Sequence, residues 1–113
     1  MRYFTRDEFR YADGVEPCPM LIRMLDDARE RAGIPFVINS GIRTPERNAE
    51  VGGVPDSAHV RGYAVDISAP TSRARFLITR AVLDAGFKRV GIGRTFVHVD
   101  TDPEKADELI WLY

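Results

Sequence analysis

Two short segments alternate strictly between aliphatic and chemically active residues, and this pattern limits the folds open to the chain. In Phe96-Val97-His98-Val99-Asp100 and in Ala64-Val65-Asp66-Ile67, branched aliphatic residues occupy every second position. Because successive side chains on a strand point to opposite faces, the aliphatic residues share one face, and Asp66, His98 and Asp100 lie on the other. We therefore predict a sheet whose aliphatic face covers helices. Its opposite face presents a carboxylate and an imidazole that can meet across neighbouring strands.

Two long helices are predicted from apolar residues at helical spacing. The first begins near Pro19, a residue favoured in a first helical turn, and ends at Gly33. The second is capped by Thr71 or Ser72 and ends at Gly86. The predicted strands cover 36–38, 63–67, 89–92 and 95–100, and the last two form a hairpin. Shorter helices are predicted at 5–8 and 44–51. The apolar tail 109–113 is expected to pack on the core. These elements predict an α+β fold with helices packed on one face of a small antiparallel sheet.

Length and composition indicate one globular domain over residues 1–113, which we expect to be a monomer. The net charge of -1 gives no support for binding to nucleic acid or to an anionic membrane. No apolar run approaches the ~20 residues that a membrane span needs, so membrane insertion is not expected. The polar segment 1–10 lacks the apolar core of a signal peptide, so we expect synthesis in the cytoplasm and delivery by another agent. Cys18 is the single cysteine, and we interpret it as a packing residue.

The chain has only two histidines: His98 could meet Asp66 across neighbouring strands, and His59, in the loop before the strand of Asp66, could complete a three-ligand set. Two imidazoles and one carboxylate leave the fourth position of a tetrahedral zinc ion open for water, which distinguishes catalytic zinc from structural zinc. These ligands suit zinc better than magnesium or calcium. The alternative is that the histidines are ordinary hydrogen-bonded residues, which is the commoner role of a lone histidine in a strand. Residues and spacing alone leave both interpretations open.

The run Ser57-x-His59-x-x-Gly62-x-Ala64-x-Asp66-Ile67, followed by His98-Val99-Asp100, resembles the D-alanyl-D-alanine carboxypeptidase and L-alanyl-D-glutamate endopeptidase family of zinc peptidases. The upstream segments 40–44 and 48–53 are similar to the same family. The resemblance implies a fold of the hedgehog/carboxypeptidase type and a zinc cofactor with ligands at His59, Asp66 and His98. It also implies that a peptidoglycan stem peptide is the substrate.

The resemblance further implies two substrate-binding residues. Arg43 corresponds to the family's substrate arginine, and a fixed guanidinium can hold a peptide carboxylate or a carbonyl oxygen that gains charge. Without the motif, Arg43 would be interpreted as a surface residue in a turn. Ser57 either hydrogen-bonds the substrate or caps the loop before His59.

The general base does not stand where the family pattern predicts it. Members commonly carry an acid three positions before the final histidine, where this chain has Thr95; the residue two positions before it is Phe96. Asp100 is the first substitute, because it shares a strand face with His98. An equally open role for Asp100 is to accept a hydrogen bond from the ring of a ligand histidine. Asp56, in the loop before His59, is a third candidate.

The resulting hypothesis is a zinc peptidase that hydrolyses an amide bond in peptidoglycan stem peptides, as an endopeptidase or a D-Ala-D-Ala carboxypeptidase. Synthesis without a signal peptide is typical of phage or prophage lysis proteins, so we expect action on the cell wall after release. The alternative is a zinc-containing wall-binding module with weak or no catalysis, which Thr95 favours. A structural domain without metal is the third possibility.

Overall fold

Two helices and one five-stranded sheet dominate the described part of the chain. This computed structural model describes residues 2–5, 8, 17–41, 49–50 and 58–113. The elements are α1 (Pro19–Ala32), β1 (Ile38–Ser40), β2 (Ala64–Ser68), α2 (Ser72–Asp84), β3 (Arg89–Ile92), β4 (Phe96–Asp100) and β5 (Leu109–Leu112). The predicted α+β class is confirmed.

The sheet has the strand order β1-β2-β4-β3-β5. The pairs β1–β2, β2–β4 and β3–β4 are antiparallel, as predicted, but β5 runs parallel to β3, so the sheet is mixed. Parallel neighbours need a connection that returns to the starting end of the partner strand. Residues 101–108 provide this return, and they bring Leu109 beside Arg89. The predicted antiparallel sheet is therefore correct for four strands and wrong for the fifth.

Both helices begin and end where local sequence signals place them. Pro19 occupies the first turn of α1, and Gly33 follows the helix in the left-handed region at φ 71°, where glycine is favoured. Thr71 is the N-cap of α2, and its hydroxyl accepts a hydrogen bond of 3.0 Å from the backbone N–H of Ala74. The Thr71 cap thus satisfies a backbone N–H that has no partner within the helix.

The aliphatic face of the sheet and the two helices enclose one core. Val65, Ile67, Val97 and Val99 are fully buried and belong to the same apolar cluster as the inward residues of the helices. Those helical residues are Leu21, Ile22, Leu25, Ala28, Ala32, Ile78, Ala81 and Val82. The predicted alternation is confirmed, because the polar residues between the sheet valines are left for the opposite face.

Several boundaries differ from prediction by one or two residues. β1 begins at Ile38 instead of Phe36, so its strand residues extend to Ser40. The hairpin turn spans 93–95 and is closed by Gly93 N–H, which donates to the Phe96 carbonyl at 2.9 Å. The tail does join the sheet, but at its edge, where Ile110 and Leu112 stay exposed. Of the predicted helix over 44–51, only residues 49–50 are described, and they are helical.

Candidate metal centre

Asp66 and His98 face each other across adjacent antiparallel strands. The register of β2 against β4 pairs Asp66 directly with His98, so their side chains leave the sheet on the same face and at the same level. His98 Nδ1 lies 2.9 Å from Asp66 Oδ1. His98 is buried, and the Asp66 side chain is only 14% exposed. The strand pairing alone therefore brings two of the predicted ligands into contact.

His59 reaches the same carboxylate from the turn that precedes β2. This turn is closed by Tyr63 N–H, which donates to the Ala58 carbonyl at 2.9 Å, and Gly62 occupies the left-handed region at φ 81°. The geometry brings His59 Nε2 to 3.3 Å from Asp66 Oδ1. All three predicted metal ligands thus converge, with ligand atoms within 4.8 Å of one another.

Hydrogen bonds on the outer side of each ring fix which nitrogen faces the cluster. His59 Nδ1 lies 2.8 Å from the Gly41 carbonyl oxygen, which only accepts, so Nδ1 carries the proton and Nε2 faces Asp66. His98 Nε2 lies 2.7 Å from Asp100 Oδ2, so Nε2 carries the proton and Nδ1 faces Asp66. With a metal in place of the proton at His98 Nδ1, one lone pair from each ring would face the space beside the Asp66 carboxylate.

This donor set fits a zinc ion. Bonds of ~2.0–2.1 Å to a tetrahedral zinc ion place neighbouring ligand atoms ~3.3 Å apart, and the two measured separations from Asp66 Oδ1 are 3.3 and 2.9 Å. Both histidines also donate their other ring N–H to an oxygen, which is the usual arrangement around protein-bound zinc. The observed cluster can hold a metal with three protein ligands.

The side chain of Asp100 is enclosed by donors. One oxygen, Oδ2, accepts from His98, while Oδ1 accepts from Arg89 Nε at 2.7 Å and from the backbone N–H of Asp102 at 3.2 Å. Asp100 is 2% exposed. These contacts give the carboxylate the geometry of a group that orients His98, one of the two roles that the sequence left open.

Electrostatics in this cluster favours charged carboxylates. Burial alone raises the pKa of Asp66, but hydrogen bonds and charges from His59 and His98 outweigh it and hold that pKa far below its ordinary value. Burial likewise raises the pKa of Asp100, and His98, the Asp102 N–H and Arg89 lower it further than burial raises it. For His98, burial lowers the pKa, whereas Asp100 and Asp66 raise it by more. The two carboxylates therefore favour the protonated form of His98, and a metal ion at Nδ1 would have to displace that proton.

An aromatic ring borders the cluster on the β3 side. Gly91 pairs with His98 on one side and with Trp111 on the other. The indole of Trp111 approaches His98 to 5.4 Å between ring centroids, and the Arg89 guanidinium lies 5.0 Å from the indole centroid. Tyr113 extends this aromatic group, and its ring centroid lies 4.9 Å from that of Phe96.

The structure brings four of the predicted site residues together: His59, Asp66, His98 and Asp100. Arg43 and Ser57 lie outside the described residues, as does the alternative base, Asp56. Thr95 lies in the hairpin turn before β4, where its carbonyl accepts from Ala69 N–H at 2.7 Å.

Three contributors to the site were not anticipated: the Gly41 carbonyl, Arg89 and Trp111. Alternation in the predicted hairpin could have placed Arg89 on the face of His98, because Arg89 and Gly91 share a strand face. Backbone carbonyls carry no signal in the side-chain pattern, and Trp111 depends on the parallel pairing of β5.

The fold and the site together define a class of protein: a small α+β domain with a largely buried His-Asp-His group that could hold a metal ion. A family model described as Peptidase M15 matches residues 3–100. The chain therefore belongs to the peptidase M15 family, and the predicted resemblance to these peptidases is confirmed. Membership of this family supports the prediction that the chain is a metallopeptidase and that its substrate is a peptide. No curated protein matches the chain.

Among the residues that the structure describes, no helix is long and apolar enough to cross a membrane.

Proposed function

We propose that the protein is a zinc-dependent peptidase that hydrolyses an amide bond in the stem peptides of bacterial peptidoglycan, as an endopeptidase or a D-Ala-D-Ala carboxypeptidase. The observation that carries this proposal is the convergence of His59, Asp66 and His98 on one face of the sheet, within the region matched by the M15 family. The three ligands leave a tetrahedral ion one position for water, as catalytic zinc requires.

Zinc bound to these ligands would polarise the scissile carbonyl and lower the pKa of its water towards ~7. The chain's own groups keep the ligands in place for that chemistry. The Gly41 carbonyl holds the ring of His59, and Asp100 holds the ring of His98. Arg43 is proposed to bind the substrate's carboxylate or carbonyl, and Ser57 to hydrogen-bond the substrate, as the motif implies.

Asp100 is proposed to orient His98 and to raise its basicity as a metal ligand. A general base must be accessible to the water that it deprotonates, whereas Asp100 is buried and three of its four acceptor sites already hold hydrogen bonds. Its lowered pKa also makes it a weaker proton acceptor. The prediction that Asp100 is itself the catalytic base remains open to experiment, but its contacts favour the orienting role.

A second candidate function is supported by the same residues. With Thr95 at the position of the usual acid and Asp100 occupied by His98 and Arg89, the chain can bind zinc and a wall peptide yet cleave it slowly. This alternative is a zinc-containing wall-binding module, and it differs from the peptidase only in turnover.

Digestion of purified peptidoglycan, followed by mass spectrometry of the released muropeptides, tests the proposal and identifies the bond. We expect cleavage products that disappear when a chelator removes the metal and reappear with added zinc. His98→Ala should lose both metal and cleavage, whereas Phe76→Ala, a change at an exposed position of α2, should keep both. Cleavage by a metal-free His98→Ala protein would refute the zinc mechanism. Zinc-dependent binding to the wall without products would establish the binding module instead.

A further inference from the structure

Trp111 stands beside the metal centre because of two strand pairings. β3 pairs Gly91 with His98 of β4 on one side and with Trp111 of β5 on the other. The three positions therefore form one row across the sheet, on the face that carries the ligands. At the end of this row, the indole lies 5.4 Å from the imidazole of His98. The indole borders His98 on the side opposite Asp66, because β4 lies between β2 and β3. A peptide that extends across this face of the sheet past His98 would therefore meet the ring.

The missing side chain at Gly91 makes room for this approach. A Cβ atom at position 91 would lie 2.6 Å from Trp111 Nε1 and 2.6 Å from Tyr113 Cε2, closer than van der Waals contact allows. Glycine thus lets the indole lie across β3 towards His98. Trp111 is partly exposed in this position, so its ring offers apolar surface at the border of the site.

The charge next to the ring selects what it can bind. The Arg89 guanidinium already lies 5.0 Å from the Trp111 centroid, an arrangement in which a cation is attracted to the ring's electron-rich face. Arg89 is held there by Asp100. A second cation, such as the ammonium group of a lysine side chain, would be repelled by Arg89. The ring is therefore suited to a neutral alkyl group.

We propose that Trp111 forms a subsite for the methyl group of an alanine adjacent to the scissile amide. This inference rests on the proposed function: an L-Ala-D-Glu bond and a D-Ala-D-Ala bond each have an alanine on at least one side. The M15 match ends at residue 100, so Trp111 and its strand lie beyond the matched region. Trp111 is thus a specificity-determining residue supplied by the last strand of this chain.

Two synthetic peptides test this subsite on the zinc-loaded chain: L-Ala-D-γ-Glu-L-Lys-D-Ala-D-Ala and an analogue in which glycine replaces every alanine. Binding is measured by calorimetry, or as KM where the peptide is cleaved. Burying one methyl group corresponds to about a fourfold gain in affinity, so the wild-type chain should prefer the alanine peptide by about that factor. Trp111→Ala should weaken binding of the alanine peptide about tenfold and abolish the preference. Zinc content should be unchanged.

Gly91→Ala is the second variant, because it displaces the indole without removing it and should also lose the preference. Phe76→Ala, an exposed aromatic position on α2, is the matched control and should keep it. Trp111 is the only tryptophan, so its fluorescence in the wild-type chain should also change on binding of the alanine peptide. Retention of the preference by either site variant would overturn the subsite. If neither peptide is cleaved but the wild-type preference and its loss are observed, the subsite stands and the peptidase function fails.

Discussion

Replacing Asp100 with asparagine separates the two roles that this residue can have. Asparagine has nearly the same shape and keeps one oxygen that can accept the proton of His98 Nε2, but it loses the negative charge. If Asp100 orients His98, the change weakens zinc binding. If Asp100 is instead the general base, the change abolishes turnover while zinc binding stays intact.

The expected size of the effect follows from the contacts of the carboxylate. Removing a hydrogen-bond partner of a metal-bound histidine typically costs 10–100-fold in metal affinity. Asparagine preserves the acceptor at 2.7 Å, so Asp100→Asn should lie near the lower limit, at about tenfold or about 1.4 kcal/mol. Asp100→Ala removes the acceptor and should approach 100-fold, or about 2.7 kcal/mol. Both variants leave Arg89 without its buried partner, which should lower the free energy of unfolding of the metal-free chain by ~2–3 kcal/mol.

Zinc affinity is measured by competition with a chromophoric chelator, and hydrolysis is measured on the same preparations at saturating zinc. Asp84→Asn, an exposed acid on α2, is the matched control and should leave both quantities unchanged. The orienting role is refuted if Asp100→Asn binds zinc within twofold of the wild-type affinity. Loss of turnover under that condition would establish the base.

Further predictions concern the metal, protons and the core. Removing zinc with a chelator should lower the melting temperature, because zinc at 1,000 times its Kd stabilises the fold by about 4 kcal/mol; an unchanged temperature would argue against a site in the native fold. Since Asp100 and Asp66 raise the pKa of His98 above its ordinary 6.5, zinc must displace a proton there. Zinc affinity should therefore rise with pH through and above 6.5, with proton release detected calorimetrically in buffers of different ionisation enthalpy; a flat profile would contradict this. The fully buried Ile67, replaced with alanine, should lose about 2–4 kcal/mol of unfolding free energy in urea titrations but bind zinc normally when folded. Cobalt should strongly quench the fluorescence of Trp111, because its ring lies 5.4 Å from a ligand ring, and unaltered emission would place the metal elsewhere.

The strands and the polar face of the sheet could be predicted because their information is local. Alternation in two segments of about five residues places Val65 and Val97 on one face and Asp66 and His98 on the other, and the pairing of Asp66 with His98 in the sheet agrees with it. Proline, glycine and threonine mark the helix ends for local reasons: proline lacks an N–H, threonine accepts from a backbone N–H, and glycine adopts the left-handed conformation. Local patterns therefore determined the α+β class and the strand face that carries Asp66 and His98, whereas the full ligand set with His59 was implied by the family resemblance.

The surroundings of the ligands depend on contacts between residues far apart in sequence. The Gly41 carbonyl fixes the ring of His59 across 18 positions, and its chemistry is that of every backbone carbonyl, so no sequence pattern marks it. Trp111 lies beside the centre only because β5 pairs in parallel with β3, a pairing set by the course of residues 101–108. Which face of the sheet carries Asp66 and His98 was thus determined by residue type and strand period. Which groups orient those ligands, and what borders them, was decided by the tertiary structure, because strand order and register follow from the packing of the whole domain.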